Sequence, residues 1–270
     1  MAVTIKSSQE IELMRQAGKI LAKVHEGLKK ELKPGMSTFD IDRIGEEMIR
    51  SFGCEPSFKN YQGYPASVCV SINEEVVHGI PRKDRIIEEG DIVSLDTGVI
   101  YKGYQSDAAR THGVGEITED ARLLIERTRQ SFFEGMKYAV AGNHLHDISG
   151  AIGDYAESFG YGVVRDLCGH GIGTHMHEDP EIPNYRKFRS GSDDGFLRDR
   201  KDLYICGEDG CGGLSDDGGA DSRLYCDRRA DGQSRSLWNS GTLCDACKGN
   251  LRRLQQCGGT SGWKTLSGAF

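Results

Sequence analysis

DIVSLDTGVIYKGYQSDAART, residues 91–111, carries the two aspartates on which the reading of this chain turns. Ile92-Val93-Ser94-Leu95-Asp96-Thr97 is rich in β-branched residues and predicts a strand. Tyr101-Lys102-Gly103 offers a tight reversal, and Tyr104 to Thr111 then returns as the antiparallel partner. With the turn centred between Tyr101 and Lys102, Asp96 falls directly across from Asp107, on one face, with Cβ atoms about 5 Å apart. Carboxylates so placed repel, and a bound divalent cation is the simplest compensation. From the hairpin alone, a solvated turn with two ordinary surface aspartates is the alternative.

Further along, VVRDLCGHGIGTHMHEDPEIPNY (163–185) sets His170, His175 and His177 within eight residues, among glycines 169, 171 and 173. Flanking glycines let backbone approach closely and leave the His170 imidazole free to turn towards a ligand. An extended segment would place His175 and His177 on the same face. A polar loop is the bland alternative, weakened because the chain has only eight histidines. A fourth histidine, His78, precedes a glycine and a proline turn in NEEVVHGIP (73–81).

Around these segments the apolar spacing predicts helices. Ser7-Ser8-Gln9-Glu10, with an N-cap serine, opens a helix with Ile11, Met14, Ala17, Leu21, Val24 and Leu28 on one face, ending before Lys33-Pro34-Gly35. Ser37 opens a second, through Ile41, Ile44, Met48 and Ile49 to Gly53. Thr118 opens a third, through Leu124, Phe132 and Val140 to Gly142, and His146-Asp147-Ile148 a fourth that ends near Gly160. Between them Val68 to Ile72 is the clearest short strand. Two helices with strands, followed by two more helices with strands, suggest two related halves around a shared site.

Composition narrows the function. A net charge of −7 and a pI near 5.7 argue against nucleic-acid specificity. No run approaches the roughly 20 apolar residues of a membrane helix, and MAVTIKSSQE lacks the apolar core of an export signal. Nine cysteines, an odd number, then suit reduced thiols and a cytoplasmic setting better than a disulfide framework.

Taken together, NEEVVHGIP (73–81), SLDTG (94–98), SDAART (106–111), GHGIGTHMHEDPEIPNY (169–185) and the flanking YQGYPASVCVSIN (61–73) resemble the type I methionine aminopeptidases. The likeness runs from the first helix to about Arg186. It implies an α+β "pita-bread" fold, two pseudo-symmetric halves wrapped on an antiparallel sheet. It also implies a metal-dependent exopeptidase that removes the initiator methionine from nascent proteins. Asp96, Asp107 and His170 match the family's metal ligands, for two divalent ions drawn from Co, Mn, Fe or Zn. His78 and His177 match its catalytic, substrate-contacting histidines. Tyr61, Tyr64 and Cys69 match the walls of its methionine pocket. The implied partner is the N-terminal Met of nascent chains, with ribosome association, a monomeric state and no membrane as further expectations.

After residue 186 the chain departs from that pattern. Residues 1–186 hold 21 Lys/Arg against 29 Asp/Glu; residues 187–270 hold 13 against 12, with no valine, one isoleucine, six cysteines and both tryptophans. The family's two later glutamate ligands have no counterpart, since Glu208 is the only glutamate past Glu181 and no histidine follows His177. Trp238 and Trp263 do not match its pocket tryptophan. The expected organisation is a metallopeptidase domain over 1–186 lacking its final strands, with impaired activity, followed by an anomalous Gly/Cys/Ser/Asp-rich tail. Such a tail reads as out of frame or artificially joined, as disordered, or as a zinc-dependent interaction module built on Cys244, Cys247 and Cys226. A non-catalytic remnant is the alternative function.

Overall fold

The computed structural model describes residues 3–186 and the backbone of four short strands beyond them. Helix α1 (Ser8–Glu31) and helix α2 (Thr38–Ser51) each begin with a reciprocal capping box, Ser7 with Glu10 and Ser37 with Asp40. Two short strands follow, β1 (Glu55–Pro56) and β2 (Val68–Ile72), then the long hairpin β3 (Ile92–Tyr101) and β4 (Tyr104–Gly113). Helices α3 (Glu119–Met136) and α4 (Leu145–Ser158) precede β5 (Gly169–Gly171) and β6 (Glu178–Ile182). In the remaining segment β7 (Ile205–Gly207) pairs with β8 (Gly210–Gly212), and β9 (Leu224–Cys226) with β10 (Leu237–Asn239). Backbone proximity places β8 against α1 and β9 against α3. The frame error, the disorder, the zinc module and the absent glutamate strands proposed for residues 187–270 otherwise lie outside the described residues.

Strand β3 is central to the first half. β1 and β2 share one of its edges and β4 takes the other, all antiparallel. The two-residue alternation of a strand sorts the side chains into two unlike faces. Val68, Val70, Ile72, Val93, Leu95 and Val99 join Leu21, Val24, Leu28, Ile41 and Ile49 of the two helices in one apolar core. Cys69, Ser71, Ser94, Asp96, Asp107, Ala109 and Thr111 occupy the opposite face by register. The Asp42 carboxylate of α2 pins the start of β2 by accepting from the backbone N–H groups of Ser67 and Val68 at 2.8 and 2.9 Å. A second core, from Leu124, Phe132, Met136, Ile148, Ile152, Ala156 and Tyr161, holds α3 and α4 together. Two cores, each built from a helix pair, agree with the two-half reading.

Three expectations are corrected. The hairpin register differs by two residues: Tyr101 pairs with Tyr104, Asp96 faces Ala109, and Asp107 faces Gly98. The loop is Lys102-Gly103 alone, both with positive φ (50° and 84°), as the hairpin turn that matches strand twist requires. Centring it one residue earlier would have put Tyr101 in the left-handed region, where a bulky side chain is strained. Asp96 and Asp107 are therefore diagonal neighbours on the same face, about 7–8 Å apart by strand geometry rather than about 5 Å. The third helix stops at Met136, short of Val140, and the fourth starts at Leu145, where the His144 backbone N–H is held by Asp147 at 2.8 Å.

The turn yields a test. Gly103→Val puts a β-branched residue at φ 84° and should cost about 1–2 kcal/mol in urea unfolding. Lys102→Asn, which suits φ 50°, should change stability by less than about 0.5 kcal/mol or raise it.

Candidate metal and peptide site

The polar face of the hairpin is the floor of the site. Asp96 is 6 % exposed and the Asp107 side chain 7 %. Cys69 sits across from Asp96 on β2, and burial, reinforced by the negative charge of Asp96, pushes its thiol well above the usual range. Cys69 therefore stays protonated, an inert wall rather than a nucleophile. Ser94 and Thr111 bond to each other on the same face at 2.8 Å.

His170 comes down on this floor from β5. Its Nε2 lies 3.7 Å from Oδ2 of Asp107, while its Nδ1 lies 2.7 Å from the carbonyl oxygen of Gly171. A carbonyl can only accept, so Nδ1 carries a proton, and in the neutral ring Nε2 then turns a lone pair towards the carboxylate. Two lone-pair atoms at that separation are what one cation bonded to both would produce, since ligand bonds run about 2.0–2.2 Å each. A histidine that donates its other N–H to a backbone carbonyl is also how proteins orient a metal-binding imidazole. The donors thus fit a divalent cation. Among the described residues, however, no three His, Cys, Asp or Glu side chains are gathered tightly enough to hold an ion. The expected trio of Asp96, Asp107 and His170 is present on the floor as a close pair with a diagonal neighbour.

His177 lies beside His170, with ring centroids 4.4 Å apart, and stacks against Tyr61 at 5.3 Å. His175, expected on the same face, is not part of the site. Residues 173–177 form a bend rather than a strand, and the His175 side chain is 79 % exposed near Glu178. The loop is tied down on both sides. Gln105 of β4 donates its backbone N–H to Gly173 at 2.8 Å, and Lys6, ahead of α1, pairs with Glu178.

His78 enters from the other side of β2. Its φ is 54°, uncommon for a residue with a side chain, and its neighbour Gly79 holds it there. Val70 donates to the Gly79 carbonyl at 3.0 Å, and a Cβ on Gly79 would stand 2.1 Å from the Val70 carbonyl oxygen. Burial lowers the His78 pKa from 6.5 to about 4, against the opposing pull of Asp107. The imidazole is therefore neutral at physiological pH.

Tyr61, Tyr64 and Cys69 do meet, in a small apolar cluster with Phe58 and Met176. Phe58 and Tyr64 pack edge to face at 6.5 Å, and the Tyr64 hydroxyl donates to the Val68 and Gly79 carbonyls at 3.3 and 3.1 Å. Burial, foremost, pushes the Tyr64 phenol far above its usual range. Met176, 1 % exposed, escaped the sequence reading because it lies between two histidines in a glycine-rich stretch. Its alternation with His175 and His177 was the one available signal.

Comparison with known proteins gives the chain's relatives. Metallopeptidase family M24 matches residues 12–199. A methionine aminopeptidase of Clostridium acetobutylicum is 58 % identical over 183 residues, 68 % of this chain and 73 % of that protein. The crystal structure of a methionine aminopeptidase from Thermotoga maritima superposes with a TM-score of 0.70 at 34 % identity, covering 88 % of this chain and 93 % of that one. One from Rickettsia prowazekii gives 0.69 at 29 % identity, covering 88 % and 94 %. The fold is the pita-bread fold.

Two tests follow from the geometry. Gly79→Ala should destabilise the chain by about 1–3 kcal/mol in urea unfolding, because backbone rather than a flexible side chain blocks the new methyl. The pH dependence turns on His78. Below about pH 6.5 the unfolded chain takes up a proton that the folded chain refuses until about pH 4. Its contribution to stability is intact above that window and falls as pH falls through it. His78→Gln should flatten this part of the stability–pH curve of the metal-free protein.

Proposed function

Because the chain belongs to the methionine aminopeptidases of metallopeptidase family M24, we propose that it acts on the N-terminal methionine of nascent polypeptides in the cytoplasm. The observation that carries this reading is the pairing of Asp107 and His170 on a buried carboxylate face, flanked by His177 and an apolar pocket. Asp96, Asp107 and His170 would hold the divalent cations, two in number and of Co, Mn, Fe or Zn type, since mixed carboxylate and imidazole donors suit these metals. When bound, such ions lower the pKa of a coordinated water towards neutrality.

The chain's own residues account for the rest of the chemistry. His177 donates an N–H towards the scissile carbonyl oxygen and stabilises the charge that develops there. His78, kept neutral by burial, orients the scissile amide without adding a charge. Phe58, Tyr61, Tyr64, Cys69 and Met176 receive an unbranched thioether side chain by shape and exclude water around it. Such a pocket rejects charged side chains through their desolvation cost.

Activity of this chain is proposed to be impaired. The two glutamates that would complete the ligand set and accept the water's proton have no counterpart after Glu181. Loss of a general base alone commonly costs about 10²–10⁴-fold. Monomeric behaviour and docking at the ribosome belong to the same proposal. The polypeptide supplied with Co or Mn should release little methionine from a Met-Gly-Met peptide. A version with the segment after Tyr185 replaced by that of the Clostridium acetobutylicum relative should release it readily, and His177→Ala in that version should cut the rate by about 10²-fold or more. Equal turnover by the two versions would overturn the impairment. No turnover by either would favour a non-catalytic binding role.

A further inference from the structure

We infer that Tyr61 is a positioning residue: its phenol donates to Nδ1 of His177 and holds that ring as the Nε2–H tautomer, opposite to the tautomer of neighbouring His170. The catalytic consequence rests on the reading above that His177 donates to the scissile carbonyl oxygen; the hydrogen-bond assignment does not.

The direction of the bond follows from the atoms around it. The Tyr61 hydroxyl oxygen lies 2.5 Å from Nδ1 of His177, and the amide nitrogen of Gln62 donates to that same oxygen at 3.3 Å. With its oxygen accepting from Gln62, the phenol directs its single proton to the imidazole. The acid–base order agrees, because a phenol is a stronger donor than a neutral imidazole N–H and an imidazole nitrogen the stronger acceptor. A neutral imidazole that accepts at Nδ1 carries its proton at Nε2.

His170 is held the other way. Its Nδ1 donates to the Gly171 carbonyl, which in the neutral ring leaves Nε2 with the lone pair. Two histidines with ring centroids 4.4 Å apart and planes tilted by 48° are thereby given different tasks. One presents a lone pair to the carboxylate floor, and the other presents an N–H. Had Nδ1 of His177 faced a carbonyl, both rings would present lone pairs, and neither would offer a donor to an oxyanion.

The backbone is shaped to place this phenol. Asn60 and Gln62, on either side of Tyr61, both have positive φ, 66° and 49°. The turn is closed by Asn60 N–H to Tyr64 O at 2.8 Å and by Tyr64 N–H to Tyr61 O at 2.9 Å. Strained residues held by such bonds mark a place where side-chain direction matters. Tyr64, the other tyrosine of the pocket, cannot substitute, because its hydroxyl is committed to backbone carbonyls.

The test reads the tautomers directly. Long-range ¹H–¹⁵N correlation spectra of the metal-free chain at mildly alkaline pH distinguish a protonated from a lone-pair nitrogen in each imidazole. His170→Ala and His177→Ala assign the signals. His177 should show its proton on Nε2 and His170 on Nδ1. Tyr61→Phe keeps the ring in the pocket but removes the hydroxyl, and should move His177 to a mixture of tautomers. It should leave His170 unchanged, and Tyr64→Phe should leave His177 unchanged. In the version with the restored ending, Tyr61→Phe should lower kcat about ten-fold while KM stays within about two-fold, since a misdirected donor costs less than a deleted one. A proton on Nδ1 of His177, or an unaltered His177 signature in Tyr61→Phe, overturns the assignment. A correct signature with no methionine release by the restored version would instead count against the proposed function and leave the assignment standing.

Discussion

Holding two carboxylates together beneath a protein surface is the constraint around which this molecule is built. Asp96 and Asp107 share one face of a hairpin, each less than a tenth exposed. A buried charge is costly, and a second of the same sign beside it more so. The chain supports this face by making the opposite one apolar along β2 and most of β3, at Val68, Val70, Ile72, Val93, Leu95 and Val99, and packing it against α1 and α2. Core and site are thus two sides of the same strands, separated only by the alternation of side chains. The fold's stability is invested on one side and drawn on at the other.

The second requirement is to bring imidazoles to that floor in fixed orientations. His78 is kept neutral by burial. His170 and His177 have their ring protons directed by a carbonyl and a phenol. Each is delivered by irregular backbone: a left-handed residue at His78, a β-bulge between His170 and Gly171, and a bend before His177. Gln105 and Lys6 anchor that bend to β4 and to the segment before α1. The two halves of the domain are joined at the place where their side chains must cooperate.

The starts of α1 and α2 were legible because capping is a local contract among four residues. Ser7 and Ser37 needed only Glu10 and Asp40 to be recognised, and both boxes form. The end of α3 was not, since Val140 continues the apolar spacing and nothing local forbids another turn. His175 and His177 looked equivalent at a spacing of two, but equivalence holds only in an extended chain. The bend sends one to solvent and the other to Tyr61. Met176 stayed hidden because its burial depends on Phe58 and Cys69, more than a hundred residues away in sequence.

By itself, the sequence determined the element types, the hairpin and which residues are candidates for the site, because these rest on local spacing, on motifs of a few residues and on residue chemistry. Tertiary structure decided the register of Asp96 against Asp107, the separate fates of the histidines and the tautomer each ring adopts. A strand slip of two residues keeps every side chain on its face, so the sequence pattern cannot resolve it; the left-handed turn at Lys102-Gly103 does. An imidazole proton likewise goes where its nearest partner sends it, and those partners meet it only once the chain has folded.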